Sequence, residues 1–109
     1  MSETGYHVQW TRTAEDDLTE IVRYIAADSP ENARAVLERL RTAANSLVHH
    51  PLRGRRPPEL ADLGLAQYRE MVRRPWRIVY RVEERRVLVM AVLDGRRELE
   101  DQLLDRLVR

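Results

Sequence analysis

The chain contains no cysteine and no lysine. Without cysteine, a disulfide framework and any cysteine-ligated metal are excluded. No apolar run approaches the ~20 residues that a membrane-spanning helix requires. The opening residues MSETGYHVQW lack the apolar stretch of a signal peptide, so a cytoplasmic protein with no membrane partner is expected. Common catalytic signatures are missing too: no P-loop, no dinucleotide-binding glycine pattern, no HExxH and no nucleophile elbow. His49 and His50 are adjacent, and on a helix they diverge by about 100°, which makes them a poor metal pair. Neither a cofactor nor a metal is expected.

The absence of lysine makes all 19 basic residues arginine. Arginine pairs with phosphate or carboxylate through two parallel N–H bonds, which lysine cannot do. A GC-rich coding sequence produces the same bias without any partner. The net charge is only +1, yet it is unevenly spread. Residues 1–52 carry five Arg against eight acids, residues 53–81 eight against three, and residues 82–109 six against seven. The excess in the middle points to a local anionic partner rather than to general nucleic-acid affinity.

A length of 109 residues fits one domain, 1–109, with a single modest core. Tyr6, Val8 and Trp10 alternate with His7 and Gln9 as in a short strand. Thr13 is expected as an N-cap, with acids Glu15, Asp16 and Asp17 in the first turn. Ala14, Leu18, Ile21, Val22 and Ile25 share one helical face. Ser29-Pro30 starts a second helix, striped with Ala33, Val36, Leu37, Leu40, Ala44, Leu47 and Val48. The short break implies a helical hairpin. Residues 51–66, with three Pro and two Gly, are expected to form a loop that carries Arg53, Arg55 and Arg56.

From Tyr68 to Arg97 the pattern is that of three consecutive antiparallel strands, with turns at Arg74-Pro75 and Glu83–Arg86. Trp76, Ile78, Tyr80 and Val82 fall on one face, and Arg77, Val79 and Arg81 on the other. Val87–Leu93 is apolar throughout, as in a central strand covered on both sides. Leu99, Leu103, Leu104, Leu107 and Val108 fit a terminal amphipathic helix. The expected class is α+β in the order β-α-α-β-β-β-α: an antiparallel sheet packed against an N-terminal helical hairpin and a C-terminal helix. Arg69, Arg73, Arg77, Arg81 and Arg97 are expected to form one exposed basic surface, with Arg53, Arg55 and Arg56 as further loop contacts. Surface arginines paired with local acids are the alternative, each pair contributing only ~0–1 kcal/mol.

The block YREMVRRPWRIVYRV, the element order and the ending VLVMAVLDGRRELEDQLL resemble the RelE/ParE superfamily of type II toxins, from about His7 to the C-terminus. The resemblance implies a toxin neutralised by a cognate antitoxin, of ribbon-helix-helix type, in a toxin dimer or toxin–antitoxin heterotetramer. RelE-like members cut mRNA on the ribosome with basic side chains and a tyrosine or histidine; ParE-like members poison DNA gyrase. Carried over one position at a time, the RelE catalytic residues fall on Arg69, Met71, Arg77, Arg97 and, on the terminal helix, Leu103. Met71 cannot stabilise a charged phosphorane and Leu103 has no proton to exchange. The resemblance therefore implies a ParE-like gyrase inhibitor without catalytic residues. A ribosome-dependent endoribonuclease, or a decayed toxin acting only as a binding module, is the alternative.

Overall fold

The computed structural model describes residues 5–107, without the side chains of Leu103, Leu104 and Leu107. The expected positions Leu103, Leu104, Leu107 and Val108 therefore lie, wholly or in their side chains, outside the described residues. The elements run β1 (His7–Trp10), α1 (Arg12–Ala26), α2 (Pro30–Asn45), a 3-10 turn at Ser46–Val48, α3 (Pro58–Ala61), β2 (Tyr68–Arg73), β3 (Trp76–Glu83), β4 (Arg86–Asp94) and α4 (Leu99–Leu107). The sheet order is β1-β4-β3-β2. β2, β3 and β4 form the expected antiparallel meander, while β1 joins β4 in parallel, so the whole sheet is mixed. A parallel neighbour needs a crossover, which the helical hairpin and the meander supply.

α1 starts two residues earlier than the sequence suggests. Thr11, not Thr13, is the N-cap, and its hydroxyl accepts from Ala14 N at 3.1 Å. The same hydroxyl donates to the carbonyls of Val89 and Met90, so strand pairing decides between the two threonines. At α2 the sequence reading holds: the Ser29 hydroxyl accepts from Asn32 N, and Pro30 follows at N1. The loop after the hairpin contains the short α3, which was not foreseen.

One face of the sheet packs on the hairpin through Met71, Ile78, Tyr80, Val87, Val89 and Val92, against Ala14, Leu18, Leu40, Ala44 and Leu47. Each large side chain buried there contributes about 1.5–3 kcal/mol. The far face carries a smaller cluster of Val79, Ala91 and Leu93 with Leu60 of α3 and Leu99 of α4. β4 is thus interior and covered on both sides. Its pairing slips between Val79↔Ala91 and Tyr80↔Val89, leaving Met90 as an extra residue. This bulge turns Val87 and Val89 toward the hairpin before it and Val92 after it.

Candidate functional site

The paired register separates the arginines that were expected to share a face. Arg69 pairs with Tyr80, Met71 with Ile78 and Arg73 with Trp76, so these β2 residues stand on the hairpin side. Arg77 and Arg81 share parity with Val79 and stand on the far side. The meander therefore carries two basic faces, not one.

On the far side Arg77 is buried rather than exposed. It is 9% accessible and sits in a cluster with Glu59, Glu70 and Arg55. The fully buried Glu70 carboxylate accepts from Arg77 Nε at 2.5 Å and from Arg55 Nε at 2.6 Å. Both Arg77 terminal nitrogens donate to the two Glu59 oxygens at 3.1 Å. Burial forces this pairing, because an arginine on a covered sheet face needs carboxylates to offset its lost hydration. The Glu59 hydrogen bonds raise the Arg77 pKa above its usual value, and Arg77 in turn holds the Glu59 carboxyl below the usual carboxylate range. The two expected cations Arg55 and Arg77 are thus matched by two carboxylates. Arg81 pairs with Glu83, Arg96 with Asp94, and Arg97 with Asp105 at 3.6 Å.

The hairpin side is different. Arg69 donates to the carbonyls of Leu52 and Gly54, Arg53 to the Ser46 hydroxyl, Arg73 to Val72 O and Arg39 to Arg74 O. None of these four forms an ion pair among the described residues. Arg39, Arg53 and Arg73 line a shallow cavity of about 480 Å³ between α2 and the β2 edge, with Glu38 on its rim. Arg69 and Arg73 are four residues apart on one strand face, roughly 13 Å. Arg56 is exposed on the loop.

The loop is fixed across the β2 edge. Arg55 and Glu70 exchange backbone hydrogen bonds at 3.2 and 2.8 Å. Gly54 N donates to the Tyr80 hydroxyl at 2.9 Å. A side chain at residue 54 would meet Glu70 O at 2.7 Å and the Tyr80 hydroxyl closer still, so glycine is required. Burial pushes the Tyr80 phenol pKa up, and its hydroxyl is enclosed by the loop.

The positions matched to RelE catalytic residues are consequently not gathered together. Arg69 and the buried Met71 face the hairpin, Arg77 lies neutralised behind the sheet, Arg97 is exposed beyond β4, and Leu103 has no described side chain.

The far face also has an apolar groove of about 390 Å³, lined by Leu60, Leu65, Tyr68, Val79, Met90 and Ala91. Arg106 of α4 reaches across its end to the buried Asp17 of α1 at 2.8 Å. Asp17 also accepts from Val92 N at 3.0 Å, beyond the end of β1.

The family model described as the ParE toxin of type II toxin–antitoxin system, parDE, matches residues 8–99. The chain belongs to the ParE toxin family. It is 45% identical over 65 residues to Toxin RelE2 of Caulobacter vibrioides, a match covering 60% of this chain and 66% of that relative. The chain also superposes on a structure of the chromosomal ParDE system from P. aeruginosa with a TM-score of 0.68. That match covers 84% of this chain and 98% of the other at 21% identity, and it supports the RelE/ParE fold.

Sequence reasoning about this ParE-family chain missed Glu59, Glu70, Asp17 and Arg39. A signal for the first two was present: residues 53–81 hold only three acids among eight arginines, and two of the three clamp Arg77.

Proposed function

We propose that this ParE-family toxin acts as a cytoplasmic inhibitor of DNA gyrase, as one toxin domain over 1–109, and that a cognate ribbon-helix-helix antitoxin neutralises it. The observation that carries the reading is the dispersal of the nuclease-matched positions over two faces and a turn. General acid–base catalysis is typically worth 10²–10⁴-fold and requires its groups around one reacting atom. The α2–β2 edge instead offers Arg39, Arg53, Arg69 and Arg73 without carboxylate partners among the described residues, a surface suited to binding an acidic macromolecule. Arg56 can extend it, whereas Arg55, Arg77, Arg81 and Arg97 are already paired.

Purified toxin should inhibit gyrase supercoiling and accumulate cleaved DNA, and Arg69→Ala with Arg73→Ala should weaken both effects. Full inhibition by the double variant refutes this surface; no effect of the wild type on gyrase refutes the target. The apolar far-face groove is suited to the apolar side of an antitoxin helix. Co-expression with the antitoxin should yield a complex, and its mass separates a dimer from a heterotetramer. The name of the Caulobacter relative, Toxin RelE2, favours a ribosome-dependent endoribonuclease as the second reading. Toeprints of mRNA cut at the ribosome would establish it. Induction without growth arrest would point to a decayed toxin kept as a binding module.

A further inference from the structure

Three cavities follow the β2 edge and share walls. The first, about 480 Å³, is lined by Arg39, Arg53 and Arg73. The second, about 380 Å³, adds Arg55 to Arg53 and Arg73. The third, about 750 Å³, takes in Arg55, Arg74 and Arg96. A basic band thus runs from α2, round the edge strand, to the turn after β4. Two carboxylates line it: Glu38 on α2, and Glu70, which is buried and already held by two arginines.

Neutral groups fix the arginines of this band. Arg39 donates to Arg74 O at 2.7 Å, Arg73 to Val72 O at 2.9 Å and Arg53 to the Ser46 hydroxyl. Arg74 has no ion pair among the described residues. A carbonyl or hydroxyl immobilises a guanidinium without cancelling its charge. Arg39, Arg53, Arg73 and Arg74 therefore keep full positive charges close together, which a polyanion would offset.

The edge is also closed to an added strand. Arg55 and Glu70 exchange backbone hydrogen bonds, so residues of Glu70's parity point their backbone groups off the sheet. Val72 shares that parity, and Arg73 occupies its carbonyl. A peptide pairing here would have to displace both arginines.

We propose that the band binds the sugar–phosphate backbone of duplex DNA without reading its sequence. This rests on the α2–β2 edge being the target-binding surface and names what that surface touches: the DNA that gyrase holds. The charges are strung round an edge rather than gathered at one point. A duplex supplies a negative charge every ~1.7 Å along its axis, whereas an acidic side chain fills one pocket. No aromatic ring lines any of the three cavities, so nothing is offered to stack unpaired bases. Thr42 adds a hydroxyl of the kind that bonds phosphate oxygens.

The full chain and a fluorescein-labelled duplex of twenty base pairs test this by anisotropy across a salt series. Four phosphate contacts predict a slope of log affinity against log salt of about −3.6, a fall of about 150-fold between ~50 and ~200 mM. Arg39→Ala or Arg73→Ala should each reduce the fall to about 40-fold. Arg12→Ala, which follows β1 at the opposite edge of the sheet, should leave it unchanged. A second duplex of unrelated sequence should bind equally well. Stronger competition by polyglutamate than by unlabelled duplex would overturn the proposal in favour of an acidic protein. Tighter binding of a single strand, a flat salt series, or equal slopes in the folded variants would overturn it too. The wild-type series decides even if a variant misfolds. Supercoiling assays on the same samples separate the two readings. Gyrase inhibition by a toxin that binds no DNA overturns this inference alone; DNA binding without any effect on gyrase refutes the target alone.

Discussion

Replacing Glu70 with alanine tests the central physical claim, that a buried carboxylate holds the middle of the meander together. Glu70 is 1% accessible and is the inner partner of both Arg77 and Arg55. Its loss leaves Arg77, itself buried, with Glu59 alone. Removing one partner of a buried pair costs about 3–5 kcal/mol, because the remaining charge keeps its desolvation penalty. That is a large part of the ~5–15 kcal/mol by which most domains are stable. At about 4 °C per kcal/mol for a chain of this size, Tm should fall by about 12–20 °C. Glu70→Gln keeps one acceptor and should lose only about 1–3 kcal/mol. The double replacement Glu70→Leu with Arg77→Met removes both charges and should recover most of the loss. Urea denaturation with a common slope gives all three values. A loss below ~1 kcal/mol for the alanine variant, or no recovery in the double variant, would refute the reasoning.

Asp17→Ala should release α4 by breaking the Arg106 pair and uncapping Val92 N, so amide exchange in residues 99–107 should accelerate more than exchange in β3. Equal acceleration in both would show that α4 is held by other contacts. Gly54→Ala should displace the loop from the β2 edge, costing a few kcal/mol and exposing the Tyr80 hydroxyl to titration; an unchanged Tyr80 absorbance titration would contradict the close approach. Glu59 and Asp94 have carboxyl pKa values lowered by hydrogen bonds from Arg77 and Arg96. Each contributes stability above its unfolded pKa of about 4, and that contribution is lost as pH falls through the lower folded value. The urea midpoint should hold from pH 7 to about 5 and decline below about 4, with Glu59→Gln flattening part of the decline. Because Glu59 is partly exposed, its share should stay below ~1 kcal/mol.

Much of this fold is legible from local patterns. Ser29-Pro30 announced the second helix, and the unbroken apolar run Val87–Leu93 announced an interior strand, because each signal is set by residues next to one another. Parity on β3 was also readable: Trp76, Ile78, Tyr80 and Val82 do pack toward the hairpin. What parity within one strand cannot give is the register between strands. Arg69 and Arg77 looked like neighbours on one surface, but pairing puts them on opposite faces. Nor could Glu59, eighteen residues from Arg77 in sequence, be read as its partner, since a four-residue helix in a proline-rich loop carries it there. The N-cap at Thr11 was missed for the same reason, its choice depending on carbonyls of β4 far along the chain.

The single extra residue at Met90 has a consequence for how the sequence of β4 can drift. It splits the strand into two stretches of opposite phase, so that Val87 and Val89 serve the hairpin core while, past the bulge, Val92 does so and Ala91 and Leu93 serve the far one. Substitutions on either side answer to different neighbours, but deleting Met90 would make Val89 and Ala91 consecutive, as their β3 partners Tyr80 and Val79 already are. Val87, Val89 and Val92 would still face the hairpin and Ala91 and Leu93 the far side, now in one regular alternation. The residue count across Met90 can therefore fall by one, whereas the assignment of each apolar β4 residue to its core cannot change.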